Sequence, residues 1–372
     1  MRLDAKGIRY ITVDEFRVLT AVETGSRNHE IVPTSLIKRL ANLHGGGINK
    51  FIGDLARKNL ITKVANSKYD GYKLTYGGYD YLALKSLSKK NCVVSVGNQI
   101  GVGKEADVYV VMGKTQSQNE NSDENSGSKP GMIHGRRAKE EVIDNEDISE
   151  YALKIHRLGR TSFRSVKSNR DYTNNKNSSP SWLYLSRLSA QKEFAFMQVL
   201  SRFGFPVPRP IEQNRHCVVM ELLDNAIPLK QINKIENPGR LYSDLMDLIV
   251  KLANYGLIHC DFNEFNLLID NNTLKPILID FPQMVSVTHK NAEFYFNRDV
   301  ECIRTFFRKK FNYVSLVYPM FTKDVTSVDV GAKNGGDGES TSAGYRLDLI
   351  VANSSFTHKM EKELEQVNIF YK

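Results

Sequence analysis

Apolar positions along the chain change period several times, and each change marks an element. Phe16, Leu19 and Val22 recur at helical spacing through DEFRVLTAVETG, and Thr12 with Glu15 forms the capping-box pair that starts a helix there. Leu36, Ile37 and Leu40 follow Pro33 on a second amphipathic face, and Ile48, Phe51, Ile52 and Leu55 make a third after a Gly-Gly-Gly turn. Leu60–Val64 and Tyr72–Thr75 then read as short strands around the polar turn Asn66-Ser-Lys-Tyr-Asp-Gly, which predicts a hairpin. Further on, Tyr151–Ile155 alternates as a strand and Cys217–Leu223 is an apolar strand. Between them, Ser189–Met197 has a helical pattern. Pro238–Asn254 carries Leu241, Leu245, Leu248, Ile249 and Leu252 on one helical face. Asn266–Ile269 and Lys275–Ile279 flank an Asn-Asn turn and predict a second hairpin, and Phe294–Phe311 predicts one more helix. Residues 114–149 are rich in Asn, Ser, Glu and Gly, which predicts a disordered insertion between two strands. Residues 323–372 read as a low-complexity tail with a short terminal helix.

Three helices followed by a hairpin make a winged-helix pattern over residues 1–91. Charge sharpens that picture. The chain carries a net charge of +9, and residues 1–91 hold sixteen Lys and Arg against eight Asp and Glu, so nearly all of the excess lies there. The third helix brings Lys50, Arg57 and Lys58 and the hairpin brings Lys63, Lys68 and Lys73, the side chains that would meet a phosphate backbone. A winged helix that docks protein remains the alternative. A second basic stretch, Arg157, Arg160, Arg164, Lys167 and Arg170, reads either as an RNA or phosphate contact or as a solvated loop.

With 372 residues and 41 % hydrophobic content, the chain has room for two or three domains with real cores. Cys92, Cys217, Cys260 and Cys302 form no C-x-x-C, so neither a disulfide framework nor a zinc site is indicated. No apolar run approaches the ~18 residues of a membrane span, and the expectation is a soluble intracellular protein with no membrane partner.

The densest chemistry lies in Gly256-Leu-Ile-His-Cys-Asp-Phe-Asn-Glu-Phe-Asn and in Ile279-Asp-Phe-Pro. His259, Asp261 and Asn266 have the spacing of a kinase catalytic loop, and Asp280 opens a D-F-P where kinases have D-F-G. Asp261 suits orienting or deprotonating a nucleophile, while Asn266 and Asp280 offer the hard oxygen ligands that Mg²⁺ prefers. Upstream, Gly101-Val102-Gly103-Lys104 is a glycine-poor phosphate loop, and Lys154 sits in a strand where it would grip the phosphates of ATP. Glu193 is its candidate partner. Met220, Glu221 and Leu222 end the apolar strand where backbone groups would meet an adenine edge.

Together these motifs resemble the RIO family of atypical kinases, and within it the second subfamily, over roughly residues 1–322. Leu153-Lys-Ile-His-Arg-Leu-Gly-Arg-Thr-Ser-Phe-Arg and Ser181-Trp-Leu-Tyr-Leu-Ser-Arg-Leu-Ser-Ala are similar to that subfamily's as well. Cys260 departs from it, standing where the family usually has Gly. The resemblance implies an α+β fold, a winged helix followed by a two-lobed, truncated kinase-like domain over 92–322 with its lobes meeting near residue 220. It implies ATP and Mg²⁺ as cofactors, Lys154 as the ATP lysine, Asp261 as the catalytic Asp, and Asn266 and Asp280 as metal ligands. It also implies a cytoplasmic protein, with passage through the nucleus left open, acting in late maturation of the small ribosomal subunit on pre-40S particles and their rRNA. The sequence contains no A-P-E peptide platform, which favours an ATPase switch over a peptide kinase. In that reading Asp280 is either a pure Mg²⁺ ligand or the acceptor of an aspartyl-phosphate.

Overall fold

The computed structural model describes residues 3–43, 47–64, 70–115, 148–160, 181–325 and 346–352. The capping box forms as its residues dictate: Thr12 N–H donates to Glu15 Oε2 at 2.7 Å and Glu15 N–H to Thr12 Oγ1 at 3.2 Å, opening α1 (Val13–Gly25). A two-residue strand β1 (Val32–Pro33), α2 (Thr34–Ala41) and α3 (Ile48–Arg57) follow. The hairpin is β2 (Ile61–Lys63) and β3 (Gly71–Leu74), and β3 pairs on its other side with β1 in the order β1-β3-β2. Val18, Leu19, Val22, Ile37, Ile52 and Leu55 bury together beneath it, which completes a winged helix.

Helix α4 (Tyr76–Lys89) then joins the two halves of the molecule. It enters against β2 so closely that a Cβ on Gly78 would lie 2.2 Å from the Leu60 carbonyl. One side of α4, with Tyr79 and Leu82, completes the winged-helix core. Its other side, with Ala83, Leu84 and Leu87, packs on Tyr109, Val111, Leu153, Ile155 and Val219 of the next domain.

That domain opens with a five-stranded antiparallel sheet of order β4-β5-β6-β8-β7, built from β4 (Ser95–Val102), β5 (Ala106–Lys114), β6 (Ile148–His156), β7 (Pro210–Asn214) and β8 (Cys217–Glu221). Helix α5 (Trp182–Arg202) lies against it. The expected insertion is shorter at both ends than its composition indicates. Lys114, Ile148 and Ser149 belong to strands, with Lys114 opposite Ile148, because the long β5–β6 ladder satisfies their backbone groups whatever their side chains. Residues 116–147 lie outside the described residues.

The second lobe is built on α6 (Pro238–Asn254) and α7 (Ala292–Phe311). Short strand β9 (Ala226–Pro228) pairs with the predicted hairpin, β11 (Leu267–Asp270) and β12 (Pro276–Leu278), in the order β12-β11-β9. Strand β10 (Leu257–Ile258) pairs with β13 (Val285–Ser286). Part of the expected low-complexity tail is core instead. After α8 (Phe321–Asp324), residues 346–352 return as α9 (Leu347–Ala352), and Leu347 and Val351 are buried in this lobe's core. The intervening 326–345 lie outside the described residues. Among the described residues, no helix is long and apolar enough to cross a membrane.

Candidate active site

Strand β10 delivers His259 and Cys260 into the loop that carries Asp261, and α7 fixes that loop from below. The Asp299 carboxylate accepts the N–H of Cys260 at 2.8 Å and that of Phe262 at 3.2 Å, and Arg298 donates to the Cys260 carbonyl. Cys260 adopts φ +66°, a left-handed conformation in which glycine would be unstrained. Burial pushes the Asp299 carboxyl up to about 7, against the pull of the two N–H groups it accepts. No local pattern singles out Asp299, because it lies on a helix far downstream.

Around Asp261 the asparagines make a cradle. Asn263 Nδ2 donates to Asp261 Oδ1 at 2.8 Å, and Asn266 Nδ2 donates to Asp261 Oδ2 at 2.8 Å and to its carbonyl at 3.0 Å. Asn263 Oδ1 in turn accepts the N–H of Phe265, closing the turn. Asn263 was not legible as a site residue, since Asn in a loop is ordinarily a turn former. Burial first, and the nearby Asp280 charge second, raise the Asp261 carboxyl above the usual carboxylate range.

Lys154 bridges the lobes. Its Nζ donates to Glu193 Oε1 at 2.6 Å and to Asp280 Oδ1 at 2.9 Å, so the helix-borne partner read from the sequence is the one the fold supplies. Burial alone would lower the Lys154 ammonium, but Asp280 and Glu193 overcome it and hold the charge firmly in place. Burial pushes the Asp280 and Glu193 carboxyls up, but the Lys154 ammonium, joined by His156, brings both below the usual carboxylate range. Glu193 Oε2 also lies 2.7 Å from His156 Nε2, and His156 Nδ1 is 3.0 Å from Ser189 Oγ. Asp280 adopts φ +70°, a left-handed conformation, with its carboxylate on the Lys154 ammonium.

Gly101 and Val102 end β4, opposite Val108 and Asp107, and Gly103 N–H donates to the Ala106 carbonyl at 2.8 Å. Lys104 is exposed at the tip. The next residue, Glu105, faces Asp280, and its carboxyl is raised to about 7 by burial and by that charge. At the hinge, Met220 is buried and Leu222 half-buried, but the Glu221 expectation changes. Its N–H is donated to the Arg209 carbonyl at 2.9 Å and its Oε2 accepts Arg209 N–H at 3.0 Å, so that N–H is not available to an adenine edge.

Asn266 and Asp280 fit a Mg²⁺ ion. With Asn266 Nδ2 committed to Asp261, the amide oxygen is its remaining polar atom, and Asp261, Asp280 and Glu193 outnumber the single Lys154 ammonium. Two protein oxygens suit an ion that keeps waters and shares substrate phosphates, as Mg²⁺ does.

Two family models match the chain: the RIO domain over residues 138–319, and the Rio2 N-terminal domain over residues 8–90. The serine/threonine-protein kinase rio2 of Schizosaccharomyces pombe is 47 % identical over 366 residues, spanning 98 % of this chain and 92 % of that protein. The chain belongs to the Rio2 family of RIO kinases. Serine/threonine-protein kinase RIO2 of Saccharomyces cerevisiae is 46 % identical over 88 % of this chain and 75 % of its own length, whereas the chain spans 60 % of the Dictyostelium discoideum relative. Among solved structures, the Rio2 kinase of Chaetomium thermophilum in an ADP/Mg²⁺-phosphoaspartate complex superposes with a TM-score of 0.78 at 46 % identity, covering 99 % of this chain and 98 % of that one. The two-domain α+β architecture is therefore the Rio2 architecture, and the chain is a serine/threonine-protein kinase by family.

Within the chain the basic residues of the N-terminal domain are placed unevenly. Lys50 is exposed on α3, and Arg57 at its end pairs with Asp54. Lys63 pairs with Asp70 at 2.8 Å and Lys73 with Glu30 at 2.7 Å, both at the surface, and Lys68 lies outside the described residues. Lys58 is different: its ammonium is 2.7 Å from the buried Glu15 and donates to the Tyr10 carbonyl, tying α3 to α1. The second basic stretch also divides. Arg157 is 1 % exposed and bonded to Asp80 and Asp107, so it is neither a solvated residue nor a phosphate contact, and residues 161–176 lie outside the described residues.

Proposed function

We propose that the chain is an ATP- and Mg²⁺-dependent phosphoryl-transfer enzyme that passes the γ-phosphoryl group to Asp280 and then to water, working as an ATPase switch. The carrying observation is Lys154 held between Glu193 and Asp280, facing an Asp261 that two asparagines fix in orientation. Lys154 would grip the ATP phosphates, and Gly101, Val102, Gly103 and Lys104 would cover them. Asn266 and Asp280 would hold Mg²⁺, which neutralises phosphate charge when bound. A carboxylate oxygen of Asp280 forms a bond to the γ-phosphorus as the bond to the β-phosphate oxygen breaks, and ADP leaves with that electron pair. Water then attacks the phosphorus of the aspartyl-phosphate, Asp261 takes its proton, and phosphate leaves with the Asp280 carboxylate regenerated. The phosphoaspartate of the Chaetomium thermophilum relative supports this order.

Radiolabel from γ-labelled ATP should appear on the protein, be released by hydroxylamine, and be absent in Asp280→Ala. Robust phosphorylation of generic Ser/Thr peptides without hydroxylamine-sensitive label would overturn the switch.

The further role we propose is in cytoplasmic late maturation of the small ribosomal subunit, on pre-40S particles and their rRNA. What supports it is the family resemblance and the concentration of positive charge in the N-terminal domain, where Lys50, Arg57, Lys63 and Lys73 lie on the helix and hairpin that a winged helix turns toward a backbone.

A further inference from the structure

The phosphate loop is not held by its own strands alone. Behind it, two arginines from the end of β6 converge on one oxygen: Asp107 Oδ2 accepts Arg157 Nε at 3.0 Å and also accepts from Arg160. Each arginine also reaches the loop. Arg160 Nη1 donates to the Gly103 carbonyl at 2.5 Å, and the Arg157 backbone N–H donates to the Glu105 carbonyl at 2.5 Å. On its far side the Arg157 guanidinium is met by both oxygens of Asp80, at 3.0 and 2.8 Å, and Asp80 belongs to α4 of the N-terminal domain. Asp80 Oδ1 is also 2.8 Å from His216 Nε2, and the His216 ring stacks on Tyr79 at 4.6 Å. Asp107 Oδ1 accepts from Gln99 at 3.1 Å.

The charges explain why this arrangement stands. Two guanidinium groups on one carboxylate oxygen repel each other, and the low-dielectric interior strengthens that repulsion. Asp80 neutralises Arg157 from behind, so Asp107 is left to hold Arg160. Without the Asp80 charge, Arg157 draws more fully on Asp107. The cation free to leave is then Arg160, whose side chain is 21 % exposed against 1 % for Arg157. Its departure would take away the clamp on the Gly103 carbonyl.

We propose that Arg160 is a positioning residue for the phosphate loop, and that Asp80 of the N-terminal domain holds it there through Arg157 and Asp107. Nucleotide affinity thereby depends on a carboxylate outside the kinase lobes, and whatever moves α4 is felt at the phosphates. The inference rests on the ATP site proposed above, and the two can fail separately. Wild-type protein that binds no ATP ends that reading, whereas wild-type binding with unaltered variants ends only this one.

The test uses the full chain and measures ATP dissociation constant, turnover at saturating ATP, and thermal midpoint. Arg160→Ala should raise the ATP dissociation constant about fivefold to tenfold, the scale of one ordinary hydrogen bond, with saturated turnover within about twofold of wild type and a nearly unchanged midpoint. Arg160→Lys, which can reach Asp107 or Gly103 but not both, should fall between. Asp80→Asn should shift the constant in the same direction, and the Asp80→Asn/Arg160→Ala double variant should be no weaker than Arg160→Ala alone, because both changes act by one route. An Arg160→Ala protein with wild-type ATP affinity overturns the proposal. So does an Asp80→Asn change that only lowers the midpoint, or effects that multiply in the double variant, since these mark a purely structural ion pair.

Discussion

His259 shows most directly how burial sets a charge state in this protein. It is enclosed beside the edges of Phe262 and Phe281, and burial lowers its imidazole to about 4 despite the Asp280 charge nearby. The folded protein therefore keeps His259 neutral where the unfolded chain would protonate it. This contribution to stability is complete above the unfolded value and is lost as pH falls from about 6.5 toward about 4. Denaturant unfolding at pH 7.5 and pH 5.0 checks it: His259→Phe should lose about 2 kcal/mol less than wild type across that interval. Equal losses in the two proteins would show that His259 is protonated in place. The catalytic-loop histidine was legible because its motif is contiguous. Asp299, which clamps the same loop, was not, since its role follows from where α7 passes beneath the loop. Arg157 misled for a related reason: one buried cation with two carboxylate partners has the same local composition as a solvated basic loop, and its partners Asp80 and Asp107 are remote in sequence.

At the scale of elements, amphipathic stripes and turn residues were reliable where one face of an element is dry and the other wet. Helix α6 runs Pro238–Asn254, as its stripe of leucines requires, and the β11–β12 hairpin forms around its Asn-Asn turn. Helix α4 has no such stripe because it is buried on two sides, with Tyr79, Tyr81, Leu82, Ala83 and Leu84 all in cores, and its Gly77-Gly78 pair is a poor helix former. A short terminal helix was expected in the tail, but the core role of α9 was hidden for the opposite reason, since it is six residues at the end of a polar stretch. It is anchored where Leu347 N–H donates to the Tyr255 carbonyl at 2.9 Å and Ser286 Oγ donates to Asp348 at 2.6 Å, while Leu347 itself is fully buried. Leu347→Ala should therefore destabilise the protein by about 2–4 kcal/mol, the cost of a core leucine. A change below about 0.5 kcal/mol in chemical denaturation, the size of a surface substitution, would place α9 outside the cooperative core.

Over the whole molecule, the positive charge of the N-terminal domain and the catalytic cleft of the second are physically joined through α4. The proposed rRNA contact is tested by Lys50→Glu with Arg57→Glu. Both side chains are at the surface, whereas reversing Lys58 would set a second carboxylate against the buried Glu15 and unfold α1 from α3. In RNA-binding titrations over a range of salt, the pair should weaken affinity and reduce the slope of log K against log salt by up to about two, because each phosphate left unneutralised keeps its counterion. An unchanged slope would assign this face to protein docking. The sequence by itself determined the winged helix, the order of the two lobes, and the contiguous motifs Gly101–Lys104 and His259–Asn266 as candidates for the phosphate loop and catalytic loop. Each of these is written in periodicity or in motifs whose members lie within a few positions of one another. Tertiary structure alone decided that Lys58 and Arg157 are struts, that Glu221 spends its N–H inside the chain, that α9 belongs to the core, and that Asp80 reaches Arg157 of the next domain. Each of those depends on which distant group arrives beside it, and burial then makes pairing obligatory for a charge that water would otherwise have left free.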